Sequence, residues 1–125
     1  MKEGGTIVFN TSVATEIAMS NFSIYSAAKS AVQSFIKTFA TELTERRIRV
    51  NGVSPGHITT NIFNNTGFSK EQIEDAIQNI LPTIPFKRAG NPSEVASTVL
   101  FLASEEASYI HGAEIKVDAG ISVIR

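Results

Sequence analysis

Ile48-Arg49-Val50-Asn51-Gly52-Val53-Ser54-Pro55-Gly56 alternates apolar and polar residues and then halts at a proline–glycine pair. Alternation of period two marks a strand, and Pro-Gly marks a tight turn at its end. The residues upstream read at a different period. Ile24, Ala28, Ala31, Val32, Phe35, Ile36, Phe39, Ala40 and Leu43 recur three and four residues apart, which predicts one long helix from about Phe22 to Arg47. A helix of about 22 residues would be about 33 Å long. Glu42, Glu45, Arg46 and Arg47 form its polar end, while Ala27, Ala28 and Ala31 leave a thin face that another backbone or helix can approach closely. Further upstream, Thr6-Ile7-Val8-Phe9 is a short β-prone run that ends in Asn10-Thr11-Ser12. A run without polar interruption suits a strand covered on both faces, as in a parallel sheet.

Downstream of the turn, residues Thr59 to Phe68 are rich in Thr and Asn and read as a loop. Ser69-Lys70-Glu71-Gln72 is a capping box, followed by an Ile73, Ile77, Ile80 stripe. Asn91-Pro92-Ser93-Glu94 is a second helix start, with Asn91 as the cap, Pro92 in the first turn and Glu94 reaching back. Val95, Ala96, Val99, Leu100 and Ala103 are expected to supply its buried stripe. Gly112 opens a third strand, Ala113-Glu114-Ile115-Lys116-Val117, which ends at Asp118-Ala119-Gly120. Strand, helix, strand, two helices, strand is the order of an α/β fold with parallel strands joined by crossovers. Ligands of such open sheets bind beyond the carboxyl ends of the strands. Those ends are Asn10-Thr11-Ser12, Ser54-Pro55-Gly56 and Asp118-Ala119-Gly120.

Composition narrows the function classes. The 125 residues are 42% hydrophobic and 18% charged, a globular balance that excludes a disordered tail. A net charge of −1 supplies no basic excess to neutralise phosphates, so no nucleic-acid partner is expected. The absence of cysteine excludes a disulfide scaffold, a thiolate nucleophile and a Cys-ligated zinc site. No signal peptide and no membrane-length apolar segment is legible, so the expectation is a cytoplasmic protein with no membrane partner.

Tyr25 and Lys29 stand four apart at the start of the long helix, which places both side chains on one face. An ammonium group beside a phenol favours the phenolate and so eases proton exchange near neutral pH, which lets a tyrosine act as a general acid or base. Ser12, at the end of the first strand, can donate to the oxygen of a substrate carbonyl. Chance alone would give the joint pattern Ser-x12-Tyr-x3-Lys in about one such chain in a hundred, so its surroundings matter.

Those surroundings carry a resemblance. Asn10-Thr11-Ser12, Tyr25-Ser26-Ala27-Ala28-Lys29 and Pro55-Gly56-His57-Ile58-Thr59-Thr60 are similar to the strand-end serine, the tyrosine–lysine helix and the cofactor loop of the short-chain dehydrogenase/reductase family. Arg88-Ala89-Gly90-Asn91-Pro92-Ser93-Glu94-Val95-Ala96 and Val117-Asp118-Ala119-Gly120 resemble its carboxy-terminal region. The resemblance implies part of a Rossmann-like doubly wound parallel sheet, comprising its last three strands and their crossover helices. It implies an oxidoreductase that moves a hydride between NAD or NADP and a carbonyl/alcohol substrate. Tyr25 would be the general acid/base, Lys29 would support it and bind the nicotinamide ribose, and Ser12 would orient the substrate oxygen. Pro55, Gly56 and Ile58 would border the nicotinamide, Ile58 through its backbone, and Thr60 through its hydroxyl.

Other features of that family have no counterpart in the sequence. Its glycine-rich phosphate loop, Thr-Gly-x3-Gly-x-Gly, is not matched by Gly4-Gly5, which precede a strand instead of following one. Its Asn-Asn-Ala-Gly strand and catalytic asparagine, both upstream of the serine segment, are also missing. Residues 1–125 therefore resemble the carboxy-terminal catalytic half of such a domain, without the amino-terminal dinucleotide-binding half. Thr6-Ile7-Val8-Phe9 would then be a bare sheet edge, and the chain is expected to aggregate, to form a homo-oligomer or to associate with a missing half. The Ala-rich helix face would belong to a helix-bundle interface. A different class is a non-catalytic truncated fragment that serves as an oligomerisation or interaction module. Among the smaller candidates, His57 is expected as a loop residue at the mouth of the site and His111 as structural, with no metal site formed by the two. Asn51 is expected to satisfy neighbouring backbone, Asp118 to brace the last turn, and the Thr59–Phe68 loop to serve as a substrate lid.

Overall fold

The structure, a computed structural model, describes residues 1–61, 67 and 69–124. Three strands, β1 (Thr6–Asn10), β2 (Arg49–Pro55) and β3 (Glu114–Val117), form one sheet in the order β1-β2-β3. Both pairings are parallel. Phe9 lies opposite Gly52, and Gly52 lies opposite Glu114, so these three residues form one row across the sheet. Helices α1 (Ser23–Leu43) and α3 (Pro92–Ala103) pack on opposite faces. Successive β2 residues show this directly. A side chain at Gly52 would meet Ile36 of α1, whereas Val53 packs with Leu102 of α3. Helix α2 (Lys70–Ile80) lies between β2 and α3 in the chain. This is the expected part of a doubly wound α/β fold.

The elements end where local chemistry stops them. Helix α1 finishes at Leu43, short of the expected Arg47. The chain tightens into a 3-10 turn at Thr44–Arg46, and Arg47 then turns left-handed at φ 51°, which no helix can continue. Ser69 and Gln72 cap α2 reciprocally, at 3.2 and 2.9 Å. At α3, Glu94 accepts from the Asn91 amide at 2.7 Å, while the Glu94 amide donates to the Asn91 main-chain carbonyl.

Burial corrects two expected stripes. On α3 the covered residues are Val95, Val99, Phe101 and Leu102, while Ala96, Leu100 and Ala103 face outward and Leu100 is 71% exposed. Val95, Val99 and Leu102 run at spacings of four and three, as do Ala96, Leu100 and Ala103; the sheet covers only the first set. The apolar residues of α1 likewise divide into two faces. Val32, Ile36, Phe39, Ala40 and Leu43 turn toward the sheet, and Ile24, Ala28, Ala31 and Phe35 remain exposed. Phe9, Phe35 and Phe39 form a ring cluster with centroids 5.3 to 6.2 Å apart. Ile73, Ile77 and Ile80 of α2 are at best half-buried. Of the expected lid, residues 62–66 and 68 lie outside the described residues. Among the described residues, no helix is long and apolar enough to cross a membrane.

Candidate active site

The carboxyl ends of the three parallel strands bring the candidate residues to one edge of the molecule. Ser12 follows β1 and caps a 3-10 turn, Val13–Thr15, by accepting from the Ala14 amide at 3.2 Å. It is 9% exposed. Its oxygen is used as an acceptor, so its hydroxyl proton is left to donate elsewhere. Helix α1 packs against this turn and carries Tyr25 in its first turn. The helix starts without a side-chain cap, and Phe22 instead sets its ring edge-on to Tyr25 at 5.9 Å.

Lys29 and Tyr25 share a helix face, as their spacing requires. The Lys29 ammonium lies 5.8 Å from the centre of the Tyr25 ring, within reach of a cation–π attraction. The same ammonium donates to the main-chain carbonyl of Asn10 at 3.0 Å. That bond fixes the long side chain against the strand end that leads to Ser12, and two N–H groups remain for a ligand. Tyr25 is 37% exposed, and among the described residues its hydroxyl makes no hydrogen bond.

The loop after β2 is held on both sides. Gly56 donates to Val117 at 3.0 Å, and a side chain at Gly56 would stand only 2.8 Å from the Asp118 backbone, so the strand ends meet this closely only with glycine there. Thr59 donates to Gly90, and Gly90 donates to His57, both at 2.9 Å. These bonds form a small parallel bridge at Ile58 and Gly90. Ile58 is gripped through its neighbours, and its own amide and carbonyl are unused among the described residues. Pro55 closes β2, and Thr60 lies exposed beyond the bridge. Burial holds the His57 imidazole below its ordinary value and favours the neutral ring.

The supporting polar residues fall where the sequence places them. Fully buried Asn51 donates to Ile110 at 2.8 Å and accepts from Ala113 at 3.0 Å. Asp118 accepts from Gly120 and from both the amide and hydroxyl of Ser122. Burial works to raise its pKa, but the bonds from Ser122 and Gly120 outweigh burial and hold it below the ordinary carboxylate value. His111 lies far from this edge and bridges β2 to the end of α1. Among the described residues, no group of three or more His, Cys, Asp or Glu is placed to hold a metal ion. Sequence reading gave no role to Glu114, which accepts from Thr11 at 2.5 Å and from Gln33 at 2.7 Å. Only its place as an acidic residue beside a mid-strand glycine on the next strand could have signalled it.

The chain is similar to known proteins along nearly its whole length. A family profile described as "Enoyl-(Acyl carrier protein) reductase" matches residues 1–122. The chain is 40% identical over 119 residues to the 3-oxoacyl-[acyl-carrier-protein] reductase MabA of Mycobacterium tuberculosis, covering 95% of this chain and 46% of that protein. The angucycline C-6 ketoreductase LanV, solved with bound NADP, superposes with a TM-score of 0.87 at 31% identity over 99% of this chain and 46% of LanV. A 7α-hydroxysteroid dehydrogenase, solved with NADH and 7-oxo glycochenodeoxycholic acid, superposes with a TM-score of 0.82 at 34% identity, over 94% of this chain and 44% of the enzyme. The chain thus spans about half the length of the relatives it matches.

Proposed function

The chain belongs to the short-chain dehydrogenase/reductase family, and from that premise we propose that it is the catalytic half of an NAD(P)-dependent oxidoreductase acting on a carbonyl/alcohol pair. The observation that carries the proposal is the Lys29 ammonium, held by Asn10 and lying 5.8 Å from the Tyr25 ring centre, beside the strand end that bears Ser12. Tyr25 gives a proton to the substrate oxygen in reduction and takes it back in oxidation. Lys29 holds its positive charge beside the Tyr25 ring. Ser12 donates its free hydroxyl proton to the same substrate oxygen and so fixes the carbonyl in place.

The chain's own residues fit one end of a nicotinamide cofactor. The unused amide and carbonyl of Ile58 match the complementary groups of a carboxamide, with Pro55 and Gly56 beside them and Thr60 at the rim. The free N–H groups of Lys29, together with Tyr25, would hold the ribose. When bound, the cofactor supplies or accepts the hydride. The pyrophosphate has no glycine-rich loop in this sequence, so tight binding requires the rest of the fold.

A fusion of the amino-terminal half of a related reductase to this chain tests the reading. NAD(P)H-dependent reduction of a panel of ketones should appear in the fusion, and Tyr25→Phe should lower kcat by at least about 100-fold. A Tyr25→Phe variant that turns over at the parent rate would refute the assignment. The exposed α1 face, with Ile24 86% and Phe35 43% exposed, favours a second role for the same chain as an association module. Turnover by the fusion separates the two, because a pure association module supports no NAD(P)H-dependent reduction even when fused.

A further inference from the structure

We propose that Glu114 is a positioning residue for the Ser12–Tyr25–Lys29 group, acting across a notch that Gly52 leaves in the sheet; this rests on the catalytic reading above. The row Phe9–Gly52–Glu114 runs across all three strands on the face that α1 covers. A side chain at Gly52 would collide with Ile36 Cδ1 and lie 3.6 Å from Glu114 Cγ. With glycine there, the Glu114 stem leans over β2 toward the end of β1. Its carboxylate divides between two elements. Oε1 accepts from the Thr11 hydroxyl at 2.5 Å, and Oε2 accepts from the Gln33 amide at 2.7 Å.

Each of those partners adjoins a residue of the site. Thr11 is 2% exposed, precedes Ser12, and is also anchored to the Val53 carbonyl through its amide at 2.9 Å. Gln33 lies one helical turn beyond Lys29 on α1. One carboxylate therefore sets the spacing between the strand end that presents Ser12 and the helix that presents Tyr25 and Lys29. The Lys29–Asn10 bond ties the same two elements one turn nearer the site. Among the described residues Glu114 hydrogen-bonds to neither Ser12 nor Tyr25, so it acts on the reaction only through geometry. Misplacement of reacting groups by about 1 Å costs rate without abolishing ligand binding.

The test uses the fused enzyme with Glu114→Ala, Glu114→Gln and Thr11→Val. Glutamine can accept from Thr11 through its oxygen and meet a flipped Gln33 amide with its nitrogen. The expected result is a kcat lowered about 10- to 100-fold in Glu114→Ala, with the KM for NAD(P)H within about twofold, and recovery to within about threefold in Glu114→Gln. Thr11→Val should lower kcat similarly, and the two changes combined should fall well short of multiplying. If Glu114→Ala fails to fold, Thr11→Val carries the same test alone. A kcat within twofold of the parent in the alanine and valine variants would overturn the proposal, as would a loss that glutamine does not rescue. Tyr25→Phe run alongside distinguishes the failures. An active phenylalanine variant sinks the catalytic reading and this proposal with it, whereas an inactive one beside a fully active Glu114→Ala sinks this proposal alone.

Discussion

Single side chains in this protein stand in for missing strand neighbours. β3 is shorter than β2, and beside its start His111 Nδ1 accepts the Val50 amide at 3.0 Å. The ring proton must then sit on Nε2, where it donates to the Ala40 carbonyl at 2.9 Å. Asn51 performs the same service for Ile110 and Ala113. Asn51 was legible as a polar residue in a strand, because a buried backbone group demands a partner, and His111 as a structural residue in the turn before Gly112. His57 shows a different single-residue effect. Its folded value is lowered from 6.5 by burial, so below that pH the unfolded chain binds more protons than the folded one. Its contribution favours the folded state above 6.5 and declines as pH falls through the lowered folded value. Melting of the fused enzyme between pH 7.5 and 5 should show a falling Tm, and His57→Gln should flatten that slope. An unchanged slope in the variant would exclude His57 as a source.

Helix α3 is set by its first turn. Arg88 donates to both Glu94 oxygens at 2.8 Å, and Glu94 also accepts from the Asn91 amide. The Arg88 guanidinium, with help from that amide, holds the Glu94 carboxyl down from 4.5 to about 2. A carboxylate depressed in this way supports the fold above 4.5 and loses its effect as pH falls through about 2. The pair is exposed, so its contribution is local and not a large share of global stability. Because Gly90 pairs with Ile58 two residues after Arg88, the same turn steadies the loop that follows β2. Glu94→Gln should raise amide exchange severalfold at residues 91 and 93–95 and leave Leu102, which is fully buried, unaffected. Unchanged protection in the first turn would contradict that role. The starts and caps of α2 and α3 were readable in the sequence because they depend on neighbours three or four residues away. Which of two adjacent apolar stripes on α1 or α3 is buried was not readable, because a helix carries no mark of the side on which the sheet lies.

At the scale of the whole molecule, β1 is half-paired. It bonds β2 on one side, and its other edge carries no strand among the described residues. The exposed Phe35, Ile24, Ala28 and Ala31 continue that uncovered surface onto α1. A free apolar strand edge beside an open helix face is a template for pairing with another chain. Sedimentation of the chain alone should therefore show dimers or larger species, and adding the amino-terminal half of a related reductase should shift them to a discrete complex. A monodisperse 13.5 kDa monomer with a cooperative melt would overturn this expectation.

The sequence by itself determined the α/β class, the order of the strands, the helix starts and the shared face of Tyr25 and Lys29. These follow from periods of two and 3.6 residues and from local turn chemistry, which act within a few positions of the chain. Tertiary structure alone decided that Lys29 is held by Asn10, that Ile58 keeps its backbone groups free, and that Glu114 crosses Gly52 to reach Thr11. Each joins residues from different strands or helices, tens of positions apart or on separate elements. Their meeting depends on register and packing, which no local pattern encodes.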